Sequence, residues 1–178
     1  MGSRKIFALD TSAFIAGFNP SEIDYDMYSV PHVEKELVKA GLPKVRFQTA
    51  VESGKLKIQI PHVRYVKAVK ESATETGDIL YLSKADILVL ALAAQLKDEG
   101  CTPTVVTDDY SMQNVASKNN ISFTSLATFG IRYRLQWQIY CPACRQKYPS
   151  NYKHIDCQIC GTKLKRKPKT KSPTNQDI

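Results

Sequence analysis

The chain has 178 residues, of which 43% are hydrophobic, so it can form one medium-sized domain with a buried core and a small additional module. It contains no run of the roughly 18 to 20 apolar residues that a membrane-spanning helix requires, and its first residues do not resemble a signal peptide. We therefore expect a cytoplasmic protein with no membrane partner.

The formal net charge of +8 is distributed unevenly along the chain. Residues 1–129 contain 14 Lys or Arg and 15 Asp or Glu, whereas residues 130–178 contain 11 and 2, respectively. A small segment with such an excess of positive charge attracts polyanions, of which nucleic acid is the most common. A solvated basic tail that only improves solubility is the alternative, but the charge coincides with a cluster of four cysteines.

The first third of the chain predicts alternating strands and helices. An apolar run that ends at Asp10 predicts a strand, and the polar segment that contains Pro20 and Asp24 predicts a loop. In chain order, we predict a strand at 5–9, a turn into a helix at 11–17, a loop at 19–28, helices at 30–40 and 44–52, and a strand at 56–60.

The next part of the chain continues this pattern with longer helices. Val63, Val66 and Val69 recur at helical spacing, and Gly77 ends the element. The segment 83–97 is apolar on nearly all sides, which predicts a buried helix. The remaining elements that we predict here are a strand at 104–107, a helix at 110–117 and a short strand at 121–124.

Strands that alternate with helices are typical of a mainly parallel sheet with helices on both faces, so we predict an α/β fold. In such sheets, functional sites form beyond the carboxyl ends of the strands. Asp10 and Asp108 both follow predicted strands. We therefore expect these two carboxylates to lie at the same edge of the sheet.

The pattern of the chain changes near Gly130. Apolar residues alternate with Arg and Gln from residue 131 to 139, which predicts a strand with one buried face that leads into Cys141. From Lys163 onward the chain is rich in Lys, Pro, Thr and Ser, which is typical of disorder. We predict an α/β domain at 1–127, a small β module at 128–162 and a basic, disordered tail at 163–178.

Four of the five cysteines form two closely spaced pairs, Cys141 with Cys144 and Cys157 with Cys160. Zn²⁺ prefers four soft ligands in a tetrahedral arrangement, and two such pairs can supply four thiolates. Disulfides are the alternative, but they are unusual in a protein without a signal peptide. His154 lies between the pairs and is a possible competing ligand. We predict a zinc ribbon with one structural Zn²⁺, because a closed four-sulfur site leaves no open position for chemistry.

The α/β domain has acidic residues where they could meet in space, namely Asp10, Glu36, Asp86, Asp108 and Asp109. Each has a structural explanation on its own, such as a helix cap or a solvated charge. Together, carboxylates at strand ends and at the start of an apolar helix would converge, and their repulsion then requires a counter-charge. Hard divalent cations such as Mg²⁺ or Mn²⁺ meet this requirement, and such clusters hydrolyse phosphodiesters.

The order of these acidic motifs resembles that of the PIN-domain nucleases. The motifs are Leu9–Ser12, Val33–Leu37, Ser83–Asp86 and Thr107–Val115. With the four-cysteine ribbon, residues 4–162 resemble the archaeal Nin-one-binding family, whose PIN nuclease cleaves precursor ribosomal RNA at the mature 3′ end of the small-subunit RNA. Arg145 stands where that family usually has a glycine after the first cysteine pair, which leaves metal binding intact.

This resemblance implies a two-metal endoribonuclease that acts on single-stranded RNA in a pre-ribosomal particle. The implied ligands of catalytic Mg²⁺ or Mn²⁺ are Asp10, Glu36, Asp86 and either Asp108 or Asp109. The residues expected to orient a water or a phosphate near the metals are Thr11, Ser12 and Thr107. The sequence does not predict which of the two adjacent aspartates binds metal.

Basic residues of the β module are candidate contacts for phosphates, and its tyrosines are candidate stacking partners for bases. The candidates are Arg132, Arg134, Arg145, Lys147, Lys153, Tyr140, Tyr148 and Tyr152. Core packing is the alternative for the tyrosines.

Three other functions remain open at this point. The chain could be a PIN ribonuclease that acts on other RNAs, a non-catalytic RNA-binding factor in ribosome assembly, or a zinc ribbon that binds DNA. The sequence predicts no oligomeric state.

Overall fold

The computed structural model describes residues 4–37, 41–126 and 133–173, which contain two β-sheets. The strands of the larger sheet are β1 (Arg4–Leu9), β2 (Asp26–Ser29), β3 (Leu56–Ile58), β4 (Cys101–Val106) and β5 (Ser122–Thr124). They are parallel throughout and follow the order β3-β2-β1-β4-β5. The predicted α/β fold with a parallel sheet is therefore confirmed.

Six α-helices in the described part of the chain flank this sheet. They are α1 (Thr11–Ile15), α2 (Pro31–Glu36), α3 (Leu42–Glu52), α4 (Val63–Thr76), α5 (Lys84–Asp98) and α6 (Tyr110–Lys118). Helix α5 is buried over most of its length, as its apolar sequence predicted, and its residues join those of β1 and β4 in the core. Across the described ranges, no helix is both long enough and apolar enough to span a membrane.

Strand β2 lies in a segment that the sequence predicted to be a loop. Met27 is fully buried, and β2 pairs with β1 in a register that sets Ile6 opposite Asp26. The carboxylate of Asp26 accepts hydrogen bonds from Arg4 and Lys57, which compensates for a charge at the start of the strand. The loop prediction is wrong here because tertiary contacts outweigh the polar local sequence.

The smaller sheet consists of β6 (Tyr133–Tyr140), β7 (Lys147–Tyr148) and β8 (Lys165–Pro173), antiparallel in the order β7-β6-β8. Strand β8 pairs with β6 along its whole length. The prediction of a disordered tail is therefore wrong for Lys165–Pro173, because β6 provides a partner for its backbone hydrogen bonds. The last predicted tail residues, 174–178, and the predicted module boundary between residues 127 and 128 lie outside the described residues.

The smaller sheet is attached to the α/β domain through β6. The side chain of Asn114 in α6 accepts a hydrogen bond from the backbone N–H of Leu135 at 2.6 Å and donates one to its carbonyl at 2.7 Å. Gly77 ends α4 with a φ of +82°, and a Cβ on it would lie 2.9 Å from the Cβ of Trp137. Glycine is therefore required at residue 77, both for its left-handed backbone and for the close approach of β6.

Strand β8 adds a buried ion pair to this attachment. Arg166 donates to the carboxylate of Asp78 at 2.7 Å, and the side chain of Asp78 is only 1% exposed. The guanidinium lies over the rings of Tyr81 and Trp137, with its carbon 3.6 and 4.3 Å from their centres. Asn114 also donates to Asp78, at 2.6 Å. We call this group the Asp78–Arg166 contact.

Candidate active site and metal centre

The innermost residue of the candidate active site is Asp10, which follows β1 and caps α1. Its side chain is buried, and Oδ2 accepts hydrogen bonds from the hydroxyls of Ser12 at 2.8 Å and Thr107 at 3.0 Å. The other oxygen, Oδ1, is buried and has no hydrogen-bond partner among the described residues. A buried carboxylate oxygen without a partner is costly unless a cation occupies the space that it faces.

Asp86 lies in the first turn of α5 and forms a capping box with Ser83. The pKa of Asp86 is raised to about 6, mainly by burial and in part by the negative charges of Asp10 and Asp109. The charges that act on Asp86 come from the end of β1 and the start of α6, and the hydroxyl of Thr107 links these two segments in one region by bonding to Asp10 and to the backbone N–H of Asp109.

Glu36 joins the same region from the last turn of α2. Its carboxylate accepts hydrogen bonds from the hydroxyl of Thr11 at 2.5 Å and from that of Ser83 at 3.0 Å. Ser83 therefore bridges Glu36 and Asp86, because its backbone N–H donates to Asp86 at 2.6 Å. The sequence motif Ser83–Asp86 gave no indication of this bridging role.

The two adjacent aspartates after β4 have different surroundings. The carboxylate of Asp108 accepts a hydrogen bond from the backbone N–H of Leu126 at 3.0 Å, toward the segment after β5. Asp109 caps α6 by accepting from the N–H groups of Ser111 and Met112, and its charge acts on Asp86. Of the two, Asp109 is therefore the stronger candidate for a metal ligand.

The residues expected to orient a water or a phosphate near the metals form hydrogen bonds to the carboxylates. Thr107 donates to Asp10 while accepting from the N–H of Asp109, and Ser12 donates to Asp10 while accepting from the N–H of Asp108. Thr11 donates to Glu36. These hydroxyl groups hold the acidic side chains in place without adding charge.

The acidic residues are less tightly grouped than the cysteines. In the described ranges, the four cysteines are the only group of three or more potential ligand residues whose ligand atoms all lie within 4.8 Å of one another. The chemistry of the acidic set nevertheless fits a hard divalent cation, because it offers carboxylate oxygens, one of them buried and without a partner.

The four cysteines converge as their spacing predicted. The sulfurs of Cys141 and Cys160 lie 3.4 Å apart and those of Cys144 and Cys157 lie 3.5 Å apart, and all four residues are free thiols. Four thiolates around Zn²⁺, each bonded at about 2.3 Å, require sulfur separations close to these values. The cluster therefore suits a metal such as zinc. His154 is not part of this group of ligand residues.

The core of the zinc module consists of residues next to the cysteines. Tyr148 is 8% exposed, its ring packs 4.3 Å from that of Tyr152, and its hydroxyl lies 3.0 Å from the sulfur of Cys157. This bond to sulfur raises the pKa of Tyr148 to about 12. The prediction that Tyr148 stacks on RNA bases is wrong, because its ring is buried in this core.

The other predicted RNA contacts differ in exposure. Arg145, Lys147 and Lys153 are exposed, whereas Arg134 is half-buried and donates to the carbonyl of Ser117 at 3.3 Å. Tyr152 is half-buried against the module core. Tyr140 is also half-buried and lies under the ammonium of Lys167. Arg132 lies outside the described residues.

Comparison with known proteins assigns a class to this fold and site. The family described as the PIN domain of ribonuclease matches residues 7–96, a range that includes Asp10, Glu36 and Asp86. The chain belongs to the PIN-domain ribonucleases, and it is an endoribonuclease of that family.

Within the family, the chain is homologous to proteins named endoribonuclease Nob1. It is 39% identical over 166 residues to that of Methanocaldococcus jannaschii, which covers 93% of this chain and 79% of the relative. It is 37% identical to that of Methanothermobacter thermautotrophicus, with coverage of 89% and 91%, respectively. It is also 36% identical to ribonuclease VapC1 of Thermoplasma acidophilum, with coverage of 90% and 77%.

Proposed function

We propose that this protein is a metal-dependent endoribonuclease that cleaves precursor ribosomal RNA at the 3′ end of the small-subunit RNA, in a pre-ribosomal particle. The observation that carries this proposal is the buried carboxylate of Asp10, one oxygen of which has no partner among the described residues. Hydrogen bonds through Thr107 and Ser83 support it, because they link Asp10 to Asp109 and Glu36 to Asp86. The similarity to Nob1 endoribonucleases over 93% of the chain supports the choice of substrate.

The ligands of Mg²⁺ or Mn²⁺ in this proposal are Asp10, Glu36, Asp86 and Asp109. Ser12 and Thr107 fix one oxygen of Asp10, and Oδ1, which has no partner among the described residues, would be available to bind a cation. Bound cations supply a water of lowered pKa and a counter-charge for the leaving oxygen. Hydrolysis then leaves 5′-phosphate and 3′-hydroxyl ends.

Substrate affinity comes mainly from the zinc module, since the acidic site repels RNA. The exposed side chains of Arg145, Lys147 and Lys153 contact phosphates, so binding weakens steeply with salt. The zinc ion is structural, because four cysteines fill its coordination shell, and it stabilises a module whose buried core is small.

A PIN ribonuclease that acts on other RNAs is the second candidate, and the match to ribonuclease VapC1 favours it. That alignment spans 161 residues, so it extends beyond the predicted nuclease domain at 1–127. Similarity to a VapC ribonuclease is therefore not limited to the nuclease part of the chain. A non-catalytic assembly factor and a DNA-binding ribbon are the further alternatives.

The experiment compares cleavage of an RNA that spans the 3′ end of the small-subunit sequence with cleavage of a messenger-like RNA and a duplex DNA. Mn²⁺-dependent cutting of the first RNA alone is expected. Asp10→Asn should abolish cutting but retain RNA binding, because it removes a metal ligand and not the basic module. Equal cutting of the messenger-like RNA would favour the second candidate, and unchanged cutting by Asp10→Asn would refute the site assignment.

The adjacent aspartates provide a matched pair of variants. Asp109→Asn should abolish cutting as Asp10→Asn does, whereas Asp108→Asn should retain most of it, because the carboxylate of Asp108 accepts from the N–H of Leu126. The reverse order of activities would show that Asp108 is the ligand.

A further inference from the structure

Three exposed tyrosines lie around the Asp78–Arg166 contact. Tyr81, Tyr110 and Tyr133 are 49%, 54% and 52% exposed, respectively. Tyr110 and Tyr133 line the same small cavity as Arg166, and the ring of Tyr81 lies 3.6 Å from the Arg166 guanidinium carbon. We call these three residues the tyrosine patch. It combines residues from the α/β domain and from β6, so it exists only while the two are attached.

The tyrosine patch lies beside the acidic site. Tyr110 directly follows Asp109 in the chain. The next residue, Ser111, connects the two regions, because its backbone N–H donates to Asp109 at 2.6 Å and its hydroxyl accepts from Arg166 at 3.3 Å. On the other side, Tyr81 precedes by two residues Ser83, which bonds to both Glu36 and Asp86.

The charge next to these rings also suits RNA. The guanidinium of Arg166 lies over the ring of Tyr81 and lines the same cavity as Tyr110 and Tyr133. Lys165 and Lys167 are exposed in the same strand. Aromatic rings interleaved with cations are the usual composition of surfaces that bind single-stranded nucleic acid. Bases stack on the rings and cations contact the backbone, so such a surface offsets the repulsion between RNA and carboxylates.

We propose that Tyr81, Tyr110 and Tyr133 form a stacking subsite for unpaired bases of single-stranded RNA beside the acidic site. The inference rests on the proposed function for its substrate, but it concerns binding and not cleavage. It places the nucleotides next to the scissile phosphate against the α/β domain, with the zinc module holding the phosphates farther along the strand.

The test measures binding of a short, unstructured, fluorescently labelled oligouridylate to the full chain in the Asp10→Asn background, by anisotropy. Tyr110→Ala and Tyr133→Ala should each weaken binding by about 5- to 100-fold, the usual effect of removing one stacked base. Tyr110→Phe and Tyr133→Phe should bind nearly as well as the parent, because the ring is retained. Tyr25→Ala is the matched control, since Tyr25 is 47% exposed. It directly precedes β2, at the amino ends of the parallel strands, whereas the acidic site lies beyond their carboxyl ends.

An RNA with one abasic nucleotide distinguishes stacking from a general loss of affinity. If a base stacks on Tyr110, an RNA that lacks this base should bind as weakly to the parent protein as the intact RNA binds to Tyr110→Ala. Combining the abasic RNA with Tyr110→Ala should then reduce the affinity little more than either change alone. Binding that is unchanged in the two alanine variants, losses as large in the phenylalanine variants, or equal loss in Tyr25→Ala would overturn the subsite. If the alanine variants bind more weakly but the wild-type protein cuts no RNA, the subsite is supported and the proposed function is refuted.

Discussion

Arg166 provides the sharpest test of how the zinc module is attached to the nuclease domain. Replacing it with methionine keeps most of the volume but leaves the carboxylate of Asp78 buried without its cation. Removing one partner of a buried ion pair costs about 3 to 5 kcal/mol. Two features reduce this value, since the side chain of Arg166 is 20% exposed and Asn114 still donates to Asp78. We therefore expect Arg166→Met to lower the free energy of unfolding by about 2 to 4 kcal/mol at neutral pH.

The cost of Arg166→Met should depend on pH. Burial raises the pKa of Asp78, while hydrogen bonds from Asn114 and Thr76 and the charge of Arg166 oppose that increase. A raised pKa means that the folded protein holds the proton more tightly than the unfolded chain, whose pKa is about 3.9. Protonation of Asp78 therefore stabilises the folded protein at low pH, and this stabilisation is lost as the pH rises through the pKa that Asp78 has in the folded protein. Without Arg166 the pKa rises further, so the penalty should be smaller near pH 5 than at about pH 8.

Thermal and urea unfolding at these two pH values measure the penalty. A loss of this size lowers the unfolding midpoint by roughly 5 to 15 °C. Lys169→Met, an exposed change in the same strand, is the control and should have almost no effect. Adding Asp78→Asn to Arg166→Met should recover stability at the higher pH, because no buried charge remains. The reasoning is refuted if Arg166→Met costs no more than Lys169→Met, or costs the same at both pH values.

Three further changes test other parts of the structure. Gly77→Ala should lower stability by about 2 kcal/mol, because alanine is strained at a φ of +82° and its Cβ would contact Trp137; urea unfolding measures this. Cys157→Ser, or removal of zinc by a chelator, should abolish the antiparallel sheet while the parallel sheet persists, as amide hydrogen exchange would show. In zinc-loaded protein without Mg²⁺ or Mn²⁺, stability should fall as the pH rises to about 6, the raised pKa of Asp86, and Asp86→Asn should flatten this dependence in a melting series.

The parallel sheet was predictable because its signals are local. Strands β1 and β4 are apolar runs, and α5 is apolar on nearly all sides, so periodicity alone identified them. Strand β2 was not predictable in the same way, because its only fully buried apolar side chain, Met27, lies among polar residues. The pairing of β2 with β1 becomes apparent only in three dimensions.

Strand β8 shows a second limit of sequence reasoning. Its composition is typical of a disordered tail, and no apolar periodicity marks it. The strand forms because β6 pairs with it and because Arg166 meets a buried carboxylate far away in the chain. Asp78 and Arg166 are far apart in the sequence, and neither residue predicts the other. A single sequence therefore gives no signal for their ion pair.

The sequence predicted which segments carry the candidate site residues, and that these residues bind a catalytic metal stays a prediction. That β1, α5 and the start of α6 would bring carboxylates together followed from the edge at which parallel strands end. Which of Asp108 and Asp109 turns toward Asp86 did not follow, because adjacent side chains in a turn point in different directions. The turn geometry, set by Thr107 donating to Asp10 and accepting from the N–H of Asp109, decides it.

The attachment of the zinc module has a consequence for the proposed reaction. Ser111 accepts from Arg166 of β8 and donates to Asp109, so the spacing between the zinc module and the acidic site is set by packed residues rather than by a flexible connection. An RNA held by the module then reaches the carboxylates in one geometry. Because a displacement of about 1 Å can reduce a rate by about 100-fold, this fixed spacing supports selection of one phosphate even though the basic side chains read no bases.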